Sequence, residues 1–526
     1  MPIGLSQGVH RRTLLRAGAA LAATGLGVPA LTFAGSRLAL GQGAKTLRAG
    51  IAGYNVINTL DPGKASLIPE FYVIWALFNG LVRFDAKMNV VPDLAESFNV
   101  AADGTLEIKL RQGIKFHDGS SCTTDDVKFS LERLLDDKFA SPNRSKVSGV
   151  DRIEIVDPLT LRIHTKEPFA PLLTFLANAR TGTQVLPRAA VKAAGDDFGK
   201  KPVGTGAYML KEWRPGERVT LAAFDGYFVG APKIASVDLP LIAEESSGVT
   251  ALLGGQLDLT STAPFADVPT LSANPQIRVL KQAGLNCRYF QLNTRKPPFD
   301  DPAFRRAVSM AFDREALIKA VLFGEGVASN SGLIPPSLAY AYGGPKPLCA
   351  FDPAKAKAEL AKSKYASGAE AVVLTWAQSW WKRSAEVFVA MVNQTLGTKL
   401  ALEVTDANAV FTRLKAGDFQ ASIWGWLGFI DADEYTYDIV HTKGWRNFAG
   451  YSNAKLDALL EEARREIDRD KRGALYKQAE AVMVEDMPVI PAFCSNVHNL
   501  LTTKVQGFTQ LPYSNFGDQF AGMDLA

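Results

Sequence analysis

Residues Leu110–Arg133 read LRQGIKFHDGSSCTTDDVKFSLER, and the reading of this stretch decides the fold. Just upstream, Thr105 to Leu110 alternates polar and apolar residues, the period of a half-buried strand. His117-Asp118-Gly119 is turn chemistry, with glycine free to adopt positive φ. Thr123 and Asp126 have the spacing of a capping box. Val127, Leu131, Leu134 and Leu135 then fall on one helical face. The segment predicts strand, turn and capped helix.

Working outward to the N-terminus, the first 41 residues read as a targeting segment. Arg11-Arg12-Thr13-Leu14-Leu15 matches a twin-arginine export signal. Ala17 to Ser36 carries no charge but is only mildly apolar, and Pro29 and its glycines favour a cleaved segment over a membrane span. Ala39-Leu40-Gly41 is a candidate cleavage site, giving a start near Gln42. No cysteine lies near that junction, which speaks against a lipoprotein anchor. The chain has 58 basic and 54 acidic residues, and the leader holds Arg11, Arg12, Arg16 and Arg37 and no acid. Without these four, the basic count falls to 54, equal to the acidic. A neutral mature chain gives no electrostatic reason to expect nucleic acid or anionic membrane as a partner. Its length calls for two or three domains. Four cysteines, Cys122, Cys287, Cys349 and Cys494, allow three full pairings, and their spacing chooses none; buried thiols are an equal reading.

Further blocks repeat the pattern of strand, turn and helix. Thr46–Pro62 reads TLRAGIAGYNVINTLDP, a strand running into a loop. Asp151 to Thr165 predicts two strands around Asp157-Pro158. PVGTGAY at Pro202–Tyr208 is read as a structural turn whose glycines let two backbones approach, because the third glycine of a dinucleotide loop is replaced by Met209. Asp301-Pro302 opens a helix through Phe312, and Asp313 opens the next. A Lys/Ala-rich helix is expected from Ala354 to Lys364. Leu456 to Asp486 predicts a helix pair broken near Asp468 to Asp470, with charges of alternating sign on the solvated face.

Leu110–Arg133 closely resembles the signature of the peptide/nickel-type (family 5) extracellular solute-binding proteins of ABC transporters, LR-x-G-V-K-F-H-D-G-x-P-x-T-A-x-D-V-x-F-S. Ile114, Ser121 and Thr124 are mild departures. LFNGLVRFDAKMNVVPDLAES at Leu77–Ser97, PVGTGAY and FRRAVSMAFDREALI are similar to further blocks of that family, in its order. The resemblance implies an α/β, two-lobed periplasmic-binding-protein-like fold with a ligand cleft. Lobe I would span 42–284, with an inserted subdomain about 64–201; lobe II would span 285–490; and 491–526 would return to lobe I. Crossovers near Gly284 and Ile490 would form the hinge.

The resemblance implies a periplasmic binding protein that delivers a peptide or peptide-like solute to ABC permease subunits, and acts as a monomer without cofactor. The same fold also serves opines, glycosides, metal chelates or haem. A secreted hydrolase is the remote alternative. The histidines form no HExxH, there is no CxxC, and no phosphate loop occurs, so no catalytic residue is assigned. His117 reads as a hydrogen-bonded turn histidine and His441 as an exposed loop histidine. Asp431, Asp433 and Glu434 are close together but lack the pattern of a calcium loop.

The binding candidates are Tyr54, Asn55, Trp376, Trp380, Trp424, Trp426, Phe429, Asp431 and Asp433. Six of the eight tryptophans lie between Trp376 and Trp445, and a cleft for mixed ligands needs rigid aromatic faces. Ile423–Asp431 resembles the family stretch g-W-x-x-D-Y-x-D-P, whose first aspartate pairs with the α-ammonium of a peptide ligand. Here that position is Phe429, so Asp431 or Asp433 is the expected substitute.

Overall fold

The computed structural model describes residues 45–343, 349–377, 379–426, 430–513 and 516–526. The leader and its cleavage site lie outside the described residues. The main sheet, eleven-stranded among the described residues, consists of two half-sheets joined through two long central strands. In one half, Thr46–Ala52 runs parallel to Ser236–Ile242 and to Leu259–Thr260. Arg218–Ala223 and Tyr208–Arg214 extend this half antiparallel. In the other half, Glu370–Trp376 lies parallel to both Lys399–Thr405 and Ala421–Trp426. The runs LRAGIA and AVVLT are nearly all apolar because parallel strands are covered on both faces.

Ile277–Leu292 and Val489–Thr502 cross between the halves as an antiparallel pair, from Ile277 opposite Thr502 to Gln291 opposite Val489. The register shifts between Ala283 and Asn286, where Gly284 passes so close that a Cβ would lie 2.5 Å from the Ser495 carbonyl. The Leu285 N–H leaves the pair and donates to Pro512 O. Just beyond, Cys287 faces Cys494 and the two form a disulfide. Cys122 and Cys349 remain buried thiols. Neither of the outcomes weighed from the sequence is met in full: one bridge forms, between cysteines at facing positions of adjacent strands, as disulfide geometry requires.

The signature segment belongs to a separate four-stranded sheet ordered Ala95–Val100, Leu106–Leu110, Thr160–Thr165, Val150–Ile155. Its helix is Thr124–Leu135, and the capping box forms, with Asp126 accepting the Thr123 N–H at 3.0 Å. His117 is a clasp between two blocks. Its Nδ1 accepts the Gly204 N–H at 3.1 Å, which leaves the proton on Nε2 to donate to Gly206 O at 3.0 Å. Burial pushes its pKa down to about 4, so the ring stays neutral and can serve both roles. Cβ atoms on Gly204 and Gly206 would lie 2.0 Å from Leu77 O and 2.3 Å from Ala76 O. The expected close approach is therefore to the end of the Ile68–Leu77 helix.

One apolar core includes Leu47, Tyr72, Leu110 and Leu239 and continues through Tyr435, Leu460, Tyr476 and Phe520. A second gathers Phe290, Phe304, Val373, Phe388 and Phe493. Asp301 caps Pro302–Met310 and Asp313 caps Arg314–Leu322, at the starts read from the sequence. The Lys/Ala-rich helix, Pro353–Leu360, ends before Lys364 because Ser363 and the Lys364 N–H turn back to the Asp301 carboxylate. Ala454–Arg465 and Arg469–Asp486 form the expected pair, with Asp468 capping the second. Among the described residues no helix is long and apolar enough to cross a membrane.

Candidate ligand cleft

The parallel strands of both half-sheets deliver their carboxyl ends to loops rich in polar and aromatic side chains. Thr46–Ala52 and Ser236–Ile242 run into Gly53–Asn55 and Glu244–Glu245. Glu370–Trp376 runs toward Trp380 and Trp381. In open α/β sheets a ligand sits beyond the carboxyl ends of the strands. The two edges also face each other electrostatically, since Tyr435 acts on both Arg180 beside the first and Arg288 in the second.

The first wall holds Tyr54, Tyr72, Arg180 and Glu245. The Tyr54 N–H donates to Ile242 O, which fixes the loop to the neighbouring strand end. Burial pushes the Tyr54 phenol up to about 12, so it is a neutral hydroxyl beside Arg180 and Glu245. Tyr72 is buried in the same way and feels the same two charges. Arg180 is carried by a short turn in which Asn178 accepts the Arg180 N–H at 3.0 Å. Gly182 closes the turn at φ 74°, where a Cβ would meet Pro62 O at 2.8 Å. The guanidinium lies 6.0 Å from the Phe71 ring. Burial lowers the Arg180 pKa, with Tyr72 and Tyr54 opposing. Glu245 opens the Glu245–Leu253 helix and packs beside Gly53; burial first, then Glu244, raises its pKa. Asn55 is exposed at the rim.

The second wall is aromatic with a cation laid into it. Trp376 packs on Trp381 at 4.0 Å, Trp380 stacks on Trp381 at 4.5 Å, and Trp376 meets Trp424 edge-on at 5.5 Å. Phe411 stacks on the far side of Trp424 at 5.7 Å. The Arg288 guanidinium lies 4.9 Å from the Trp380 ring and 4.6 Å from Trp381. Gly425 is the residue opposite Arg288 in the strand pair, and a Cβ there would lie 2.3 Å from Arg288 Cδ. Glycine at that position makes room for the arginine stem. Burial pulls the Arg288 pKa down to about 9.

The model of the bacterial extracellular solute-binding proteins, family 5, matches residues 89–447. The chain belongs to this family. Glutathione-binding protein GsiB of Escherichia coli O6:K15:H31 is 28% identical over 99% of this chain and 100% of that protein. Among solved structures, HbpA2 from Haemophilus parasuis superposes with a TM-score of 0.81 at 26% identity, covering 91% of this chain and 100% of that one. The binding protein AgaA of A. tumefacien R10, in complex with agropinic acid, superposes with a TM-score of 0.76 at 27% identity, covering 91% of this chain and 99% of that one.

Within this family 5 chain the structure brings Trp376, Trp380 and Trp424 together on one wall and places Tyr54 on the other, with Asn55 at its rim. The Trp426 backbone closes its strand, but its side chain and all of Phe429 lie outside the described residues. The expectation for Asp431 and Asp433 needs correction. Asp431 caps the Ala432–Val440 helix, is 1% exposed, and is held by Arg472 through both oxygens. Asp433 is 2% exposed and forked by Arg464, with both contacts at 2.7 Å. At the start of one helix, both carboxylates turn to the Ala454–Asp486 helix pair, and neither is offered to a ligand ammonium. Glu434 is paired with Lys146, and among the described residues no three-ligand metal group occurs.

His441 also departs from the reading as an exposed loop residue. It is 1% exposed at the end of the Ala432–Val440 helix, stacked 3.9 Å from Tyr437 and turned toward Glu461. Sequence reasoning missed Arg180, Arg288, Glu245 and Tyr72. The signal for Arg288 was present as one charge in the apolar strand run CRYFQL.

Proposed function

We propose that this chain is the periplasmic binding protein of an ABC importer, capturing a peptide or peptide-like small solute between two lobes and delivering it to the membrane permease. The observation that carries the proposal is the pair of strand-end walls, one bearing Tyr54 and Arg180 and the other the tryptophan wall around Arg288, joined by two crossing strands. The lobes are taken as 42–284, with an inserted subdomain about 64–201, and 285–490, with 491–526 returning to the first. Export by the twin-arginine leader and action as a monomer complete the reading. That a relative binds glutathione and another was solved with agropinic acid supports a small, polar, amino-acid-derived solute.

The mechanism is a trap. Solute touching both walls stabilises the closed arrangement over the open one, by no more than its difference in affinity for the two. Closure buries the solute and creates the surface that the permease reads. No bond is made or broken. Tyr54, Trp376, Trp380 and Trp424 would supply contact, with Asn55, Trp426 and Phe429 at the edges.

The test is titration with small peptides and amino-acid conjugates, followed by tryptophan fluorescence and melting temperature, with mass spectrometry of the recovered solute. A spectral change, a raised melting temperature and unaltered solute support the proposal. Steady consumption of the solute would establish the hydrolase alternative instead.

A further inference from the structure

We infer that the captured solute is an amino dicarboxylate: an amino-acid head held by Arg180 and Glu245 on the first wall, and a second carboxylate held by Arg288 on the other. The inference rests on the proposed binding role and narrows its ligand class.

The arginines of this chain are built in two ways. Arg133, Arg464 and Arg472 are each forked onto an aspartate, Asp61, Asp433 and Asp431 respectively. These are scaffold pairs. Arg180 and Arg288 are built against aromatic faces instead, Phe71 for the first and Trp380 with Trp381 for the second. A guanidinium lying on a ring uses its face for the cation–π contact and keeps its N–H edge in plane. Its five donors allow it to retain protein partners, such as Cys287 O for Arg288, and still fork a carboxylate. The largest electrostatic neighbours of both are tyrosines: Tyr72 and Tyr54 for Arg180, Tyr289 and Tyr435 for Arg288. Neutral phenols orient an anion without competing for the cation.

Arg180 and Glu245 belong to one patch, because Tyr54 and Tyr72 each feel both charges. A cation and an anion side by side match the carboxylate and ammonium of one α-amino acid head. Glu245 also takes the place left by Asp431 and Asp433, which are consumed in scaffold pairs. Arg180 and Arg288 share Tyr435 as a neighbour, so one small solute can reach from one wall to the other. Gly425 supports the assignment, since it leaves the space in which the Arg288 stem lies.

The experiment is calorimetric titration of the mature chain with three probes: reduced glutathione, which carries an amino-acid head and a distal carboxylate; the same peptide amidated at its C-terminal carboxyl; and trialanine. Glutathione is expected to bind at least about 100-fold tighter than its amide, because a site built for a charged partner rejects the analogue that lacks it. Arg288→Met is expected to abolish that preference, and Arg288→Lys to restore part of it. Glu245→Gln is expected to weaken glutathione and its amide equally. Melting curves establish that each variant is folded; if Arg288→Met does not fold, the wild-type comparison of glutathione with its amide decides alone. Equal affinity for all three probes would overturn the charge inference and leave the binding reading standing. No binding of any probe would remove the peptide-type reading and the inference with it.

Discussion

Arg472 grips Asp431 through both carboxylate oxygens, at 2.5 and 2.9 Å, and neither side chain is more than 6% exposed. Burial opposes both charges, yet Arg472 is held well above its ordinary pKa and Asp431 below its own, so the pair is ionised. Asp431→Asn should cost about 3–5 kcal/mol in urea unfolding, because Arg472 is left buried without its counter-charge. Asp431→Asn with Arg472→Met should cost less than the single change. A double variant as damaged as the sum of the singles would show that the two side chains act separately.

Glu480 gives a pH signature. Its Oε1 accepts the Leu333 and Ile334 N–H groups at 2.6 and 2.8 Å, while Oε2 has no partner among the described residues. Burial pushes its pKa up to about 8. Between the ordinary glutamate value and 8, the folded chain keeps a proton that the unfolded chain has lost. Its contribution to stability is therefore full in acid and is lost as pH rises to 8. Glu480→Gln keeps an acceptor for both N–H groups and removes the titration. The melting temperature of the variant relative to wild type should rise steadily from pH 5 to pH 8; a constant difference would contradict the assignment.

Gly204 tests the clasp beneath the signature segment. A Cβ would fall 2.0 Å from the backbone oxygen of Leu77, and the helix end cannot withdraw without disturbing the His117 bonds. Gly204→Ala should cost about 3 kcal/mol by overpacking. Gly522→Ala, where a Cβ meets nothing within 4 Å, serves as the control and should lie within about 0.5 kcal/mol of wild type. Similar losses at the two positions would remove the steric argument.

Lys146 joins the inserted segment to the Ala432–Val440 helix through Glu434 and Asp438. Under the proposed lobe division these groups stand on opposite sides of the hinge. Lys146→Met should then disfavour closure and weaken solute affinity about tenfold. Small-angle scattering of the solute-free protein should show a larger radius of gyration. Unchanged affinity and size would mean that the contact does not bridge moving parts.

Local structure was largely legible in the sequence because its causes are local. Thr123 and Asp126 announce their capping box, Asp301-Pro302 and Asp313 their helix starts, and His117 its turn. The site was legible only as chemistry types. Trp376, Trp380 and Trp424 could be singled out by density, but their contact with Arg288 depends on a strand pairing across more than a hundred residues. Asp431 and Asp433 misled because spacing along a helix start does not reveal that Arg464 and Arg472 wait on a later helix pair. The Cys287–Cys494 bridge was undecidable for the same reason, its partners being 207 residues apart. Arg180 and Glu245 meet only through Tyr54 and Tyr72, a neighbourhood no periodicity encodes.

The central claim is capture without conversion. The most direct measurement incubates the purified mature chain with a small-molecule extract of the periplasm, removes unbound solute by gel filtration, denatures the protein, and identifies what is released by mass spectrometry. The account predicts one class of small solute, bearing two carboxylates and an amine and identical to the compound in the extract. Release of a chemically altered product, or retention of no solute by a folded chain, would contradict it.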